Sequence, residues 1–148
     1  MAFRALLPAL VLLLSGGAAL ADPCDAVPQK GDLPKPLARG ERFSGPVVHV
    51  ADGDPLCVAV GPRRGIDWVE VRLADFHAPE LKEPGGREAR DTLKRLTNGR
   101  RVDCLSRGRT WDRVAADCRL GGRSLGERMR SLGVAEGGRG KGEAVRSR

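Results

Sequence analysis

The spacing of apolar and polar positions changes character along the chain, and each change predicts a different kind of structure. Arg4 precedes an apolar run from Ala5 to Leu14, and the small residues Ala19 and Ala21 follow. A membrane span needs roughly 20 apolar residues, so this shorter run has the form of a signal peptide over residues 1–21, with cleavage expected after Ala21. Pro23, Pro28, Pro34 and Pro36 then interrupt any period, and residues 22–42 read as an arm without regular structure. Phe43, Val47, Val48 and Val50 form a β-prone run that ends at the turn signal Ala51-Asp52-Gly53-Asp54. Leu56 to Val60 is the expected return strand, and Trp68 to Leu73 the third.

After Pro84-Gly85-Gly86 the period becomes helical, with Ala89, Leu93 and Leu96 on one face and Asn98-Gly99 as the stop. Val102 to Leu105 and Val114 to Leu120 predict a fourth and fifth strand, with the polar run Ser106 to Thr110 as their turn. Ser124 followed by Glu127 is a capping-box pattern, and Leu125, Met129 and Leu132 make the apolar stripe of a second helix. Beyond Gly133 the chain is glycine and charge, and residues 137–148 read as a disordered basic tail. The folded unit is therefore residues 43–136. Five short strands with helices after the third and fifth predict an α+β fold, with a five-stranded OB-type β-barrel carrying two or three helices among its options.

Composition sharpens this picture in two ways. The 148 residues suit one domain, and 3 Phe, 2 Trp and no Tyr leave a core of Val, Leu and Ala, which argues against a large aromatic ligand pocket. Cys24, Cys57, Cys104 and Cys118 are an even set without a CxxC or HxxxH pair, so in an exported chain they read as disulfides rather than a zinc site. Four cysteines allow three pairings; the expected hairpin favours Cys104 with Cys118 and leaves Cys24 with Cys57. Export places the protein in a periplasm or outside the cell, free of the membrane once the leader is removed, and as a monomer.

The candidate chemistry sits at three places: Asp52-Gly53-Asp54 in the first hairpin, Arg72 to Glu80 after the third strand, and Trp111-Asp112-Arg113 before the fifth. Each alone is an ordinary turn or surface charge. Together, and in this order, they resemble the staphylococcal nuclease (thermonuclease) family over about Phe43 to Val134. That family has an Asp-Gly-Asp turn, an Arg-Leu strand leading to Ala-Pro-Glu or Thr-Pro-Glu, and a Tyr-Gly-Arg turn before the last strand. The corresponding stretches here are Asp52-Gly53-Asp54, Arg72-Leu73-Ala74-Asp75-Phe76-His77-Ala78-Pro79-Glu80 and Trp111-Asp112-Arg113.

The resemblance implies hydrolysis of phosphodiester bonds in DNA and/or RNA with a calcium ion as the expected divalent cofactor. Glu80 would be the general base, and Arg72 and Arg113 would meet the charge growing on phosphorus. Asp54, His77 and Ala78 occupy the metal positions; His77 stands where the family has a second carboxylate, Ala78 offers only its backbone carbonyl, and Asp75 is a possible substitute ligand. Arg109 and Trp111 are the candidates for nucleic-acid contact. The arginines at 63–64, 100–101 and 107–109 could meet a polyanion, against a default reading of solvated loop charge. The rival expectation is an OB-type module that binds single-stranded nucleic acid or another anionic partner without cutting it.

Overall fold

The computed structural model describes residues 23–24 and 31–137. The expected leader, most of the first part of the arm and the basic tail from residue 138 lie outside the described residues. Eight elements follow the arm: β1 (Arg42–His49), β2 (Pro55–Ala59), β3 (Trp68–Leu73), α1 (Gly86–Thr97), β4 (Arg101–Thr110), β5 (Arg113–Leu120), the short β6 (Arg123–Ser124) and α2 (Leu125–Ser131).

The strands run in the order β3-β2-β1-β4-β5-β6, and a parallel pairing of β3 with β5 joins the two ends of the five main strands. The result is a closed, mixed five-stranded barrel of OB type with two helices, as expected from the sequence. Alternation explains the inside: Val69, Val71 and Leu73 on β3, Val102 and Cys104 on β4, and Val114, Ala116 and Cys118 on β5 are all buried. Among the described residues, Phe43 and Phe76 are the only aromatic side chains in a core otherwise built from aliphatic residues, methionine and cysteine. β2 departs from alternation because Leu56 and Val58 enter the core while Cys57, on the other face, is covered through its disulfide with Cys24.

The helices start and stop for local reasons. α1 buries Ala89 and Leu93, and its C-cap Asn98 and Gly99 (φ 74°) turn the chain back, where the Gly99 N–H donates to the Val47 carbonyl at 2.8 Å. Ser124 caps α2 by accepting the Glu127 N–H at 3.1 Å. Leu132 departs from the expected stripe: α2 ends at Ser131 and Leu132 is 56% exposed. Gly133 (φ 78°) donates to the Arg130 carbonyl and Val134 to that of Met129, a Schellman ending that sends Val134 into the core instead.

Two further expectations are corrected. The polar run Ser106 to Thr110 is not a turn: β4 continues through Thr110, with a bulge between Ser106 and Gly108, and the hairpin turn is Trp111-Asp112. Nor is residues 22–42 a wholly irregular arm, because Lys35–Leu37 forms a 3₁₀ turn whose Leu37 is buried in the core. Its carbonyl accepts from Ser106 Oγ at 2.7 Å, which satisfies a hydroxyl that would otherwise be buried unpaired.

Both expected disulfides form, Cys24 with Cys57 and Cys104 with Cys118, which fits folding in an oxidising environment. Cys104 and Cys118 face one another directly in the β4–β5 ladder. With a sequence separation of 14, the Cys104–Cys118 bridge contributes about 3 kcal/mol in the chain-entropy model. Cys104→Ala with Cys118→Ala is therefore expected to lower unfolding stability by about that amount in urea titrations. Adding reductant should shift the wild-type midpoint in the same direction and leave the Cys104/Cys118 variant sensitive only through the bridge from Cys24 to Cys57.

Candidate active site

The barrel's outer face carries a cleft of about 90 Å³ lined by Asp52, Asp54, Arg72, Ala78, Glu80 and Arg113. These residues come from separate segments: the β1–β2 turn, the end of β3, the loop after β3, and the start of β5. The parallel register sets Arg72 opposite Ala115 and Val71 opposite Val114, so Arg72 and Arg113 lie on neighbouring strands on the face that Val71 and Val114 do not use. The Leu73 N–H donates to the Asp54 carbonyl at 3.0 Å and ties the acidic turn to β3.

Close packing of small residues fixes the remaining walls. A Cβ on Gly53 would overlap the side chains of Ala78 and Ala89, so this glycine lets the acidic turn, the loop after β3 and α1 meet. Gly86 does the same for the loop that carries Glu80, since a Cβ there would overlap the Glu80 carbonyl. Within that loop Glu80 donates its N–H to Glu83 Oε2 at 3.0 Å, and its carbonyl accepts the Glu83 N–H at 2.8 Å. The backbone of Glu80 is thereby held while its side chain stays exposed.

The two guanidiniums are loosely engaged. Arg72 Nε is 3.4 Å from Asp54 Oδ2, and Arg113 stands 4.0 Å from Glu70 and 3.6 Å from Asp112. Charge-assisted N–H···O bonds normally close to about 2.8 Å, so both groups keep capacity for an incoming oxyanion. Three carboxylates against two guanidiniums make the cleft acidic in sum, which opposes a phosphodiester unless a cation joins it.

Among the described residues no three His, Cys, Asp or Glu side chains form a metal cluster. Asp54 and Ala78 both line the cleft, and a carboxylate with a backbone carbonyl is an oxygen set that would suit a hard cation. His77 is not among the lining residues, and its Nδ1 is buried without a partner among the described residues. Asp75 is turned away as well: Ser124 Oγ donates to its Oδ2, and Gly126 of α2 packs on its carboxylate.

Sequence reasoning missed what holds this loop from behind. The Arg130 guanidinium donates to the Asp75 carbonyl, lies 5.7 Å from the Phe76 ring and pairs with Glu136 at 2.9 Å. That hydrogen bond from Arg130 is the chief cause that holds the Glu136 carboxyl below its usual range. The Gly137 N–H donates to the His77 carbonyl at 2.9 Å. The contacts of Arg130 with Asp75 and Phe76, and of Gly137 with His77, join residues too far apart in the chain for any local pattern to signal them.

The nucleic-acid candidates separate. Trp111 sits at the hairpin tip, two residues before Arg113, 80% exposed and with φ 53°, a left-handed backbone that a bulky residue rarely adopts. Arg109 does not reach the cleft but lines another groove. Of the arginine runs, Arg63 pairs with Asp67, Arg107 with Asp117, and Arg100 donates to the Leu96 carbonyl. The chain matches no protein-family model, and it matches no curated protein.

Burial pushes the Asp54 carboxyl above the ordinary aspartate value of 3.8; Arg72 opposes this, Asp52 adds to it, and Arg113 and His77 oppose it more weakly. The native state then holds a proton that the unfolded chain has already released, so stability falls as pH rises from the unfolded value through the folded one. Asp54→Asn is expected to raise the urea midpoint at neutral pH and to change it little in acid, where the wild-type carboxyl is already neutral. A lower midpoint for the variant at neutral pH would contradict this assignment.

Proposed function

We propose that this chain is an exported phosphodiesterase of the thermonuclease type, acting on DNA and/or RNA. The observation that carries the reading is the convergence of Asp54, Arg72, Glu80 and Arg113, from four segments of sequence, on one small polar cleft. A chain-wide accident of turn residues has no reason to gather an exposed carboxylate and two under-bonded guanidiniums in one cleft.

In the proposed reaction Glu80 orients a water and takes its proton as the water oxygen attacks phosphorus. The new P–O bond forms in line with the ester bond that breaks, giving a phosphomonoester and an alcohol. The leaving oxygen is protonated from the medium, and Glu80 returns its proton there. Arg72 and Arg113 present N–H donors to the non-bridging oxygens, where negative charge grows in the transition state. A divalent cation held by Asp54 and the Ala78 carbonyl would supply the positive charge that the acidic cleft lacks. Trp111 offers an exposed ring next to Arg113 on which a base can stack. The two disulfides and the apolar leader pattern support a periplasmic or secreted protein.

Cleavage of single-stranded DNA and RNA should require a divalent ion, and chelator should abolish it. Glu80→Gln is expected to lower kcat by about 10²–10⁴-fold, and Arg72→Gln or Arg113→Gln by about 10²–10³-fold. Trp111→Ala should act differently, raising KM by about tenfold with little change in kcat, because a stacked base is worth about 1–3 kcal/mol in binding. Retained binding without metal-dependent cleavage, equal in wild type and Glu80→Gln, would replace the enzyme with the binding module.

A further inference from the structure

Arg109 has no place in the proposed hydrolysis, yet two of its guanidinium nitrogens are buried without a partner among the described residues. It stands opposite Val114 in the β4–β5 ladder, and Val114 is fully buried, so Arg109 is directed to the barrel side of the hairpin while Arg113, one residue from Val114, takes the outer side. There it lines a groove of about 380 Å³ between the arm and the hairpin, together with Asp32, Leu33, Arg39 and Gly108. Its Nε and Nη2 atoms are buried and have no hydrogen-bond acceptor among the described residues. Those two N–H groups lie on the same edge of the guanidinium and form the side-on fork that matches a pair of oxyanion oxygens. A buried cationic donor pair is unfavourable without an acceptor, so this edge calls for an anion.

The groove's walls are set by bonds from main-chain N–H groups. Gly40 donates to the Ser106 carbonyl at 2.9 Å, the Ser106 N–H to the Glu41 carbonyl at 2.9 Å, and the Gly108 N–H to Ser106 Oγ at 3.1 Å. Arg39 is thereby held over the bulge, where a Cβ on Gly108 would lie 3.5 Å from its Nε. We propose that this groove is a second anion site, which takes a phosphoryl group on the Arg109 fork with Arg39 beside it. A carboxylate spends both oxygens on one fork, whereas a phosphoryl group has a further oxygen for the second guanidinium. The Asp32 carboxylate, in the same groove but bonded to neither N–H, weakens the site by its charge. The proposal is independent of hydrolysis at Glu80.

The test is saturable binding of inorganic phosphate to the disulfide-bonded protein, read by calorimetry, with chelator present throughout. Arg109→Gln should weaken it at least tenfold, Arg39→Gln severalfold, and Asp32→Asn should tighten it. If Arg109→Gln does not fold, the opposite shifts of the Arg39 and Asp32 variants carry the same comparison. A parallel titration with a short labelled oligonucleotide identifies the source: weaker binding and a shallower salt dependence in the Arg39 variant mean a backbone phosphate, and no change there means a free phosphate or nucleotide. Absence of saturable phosphate binding in both wild type and Asp32→Asn overturns the proposal, as does equal affinity in wild type and Arg39→Gln.

Discussion

The parallel pairing of β3 with β5 is the constraint on which the rest of the molecule depends. The other main-strand pairs are antiparallel, between neighbours in the hydrogen-bonded order, and without this one they make an open sheet with two exposed edges. Closure does two things at once. It encloses Val71, Leu73, Val114 and Ala116 in a single core, and it brings the outward-facing Arg72 next to the start of β5, where Arg113 stands. Two arginines far apart in sequence become neighbours through backbone hydrogen bonding alone. Their shared cleft is thus a consequence of barrel closure, and a change that opens the β3–β5 seam separates the guanidiniums and exposes the core together.

Small residues carry the second constraint. With so few aromatics, the elements around the cleft meet where Gly53 packs on the methyl groups of Ala78 and Ala89 and Gly86 on the Glu80 backbone, rather than through large interlocking side chains. That packing leaves a small polar cleft of about 90 Å³. Under the proposed function, affinity for the rest of a polymer would come from outside the cleft, and Trp111 on its exposed tip is the candidate to provide it.

What the sequence made legible follows the range of the interactions involved. Strands with inward-facing Val69, Val71 and Leu73, the Ser124 cap and the helical spacing of Ala89 and Leu93 are local signals, and the structure keeps them. The β4–β5 turn was not legible, because polar residues at 106–110 resemble a loop until Ser106 is seen to bond the arm through Leu37, and because nothing local marks Trp111 as a left-handed turn residue. His77 and Asp75 look like ligands only through the family resemblance of the Arg72 to Glu80 stretch. Their actual environment is set by α2 and residues 134–137, through Ser124, Gly126, Arg130 and Glu136, which no local pattern reveals.

Net charge proves a poor guide to where the chemistry lies. The full chain carries +7, yet the cleft it serves is acidic in sum, and several arginines outside it are matched by partners such as Asp67, Asp117 and Glu136. The significant cations are distinguished by what they lack. Arg72 and Arg113 hold only long pairings, and Arg109 has a buried edge with no acceptor among the described residues. Exposed ion pairs contribute little to stability, so the paired arginines serve mainly solubility and the long-range field. An under-bonded guanidinium behind low-dielectric walls is different, because the free energy of its missing partner is still available to a ligand. By that measure Arg72, Arg113 and Arg109 are the side chains on which the two proposed anion sites rest, rather than the basic surface as a whole.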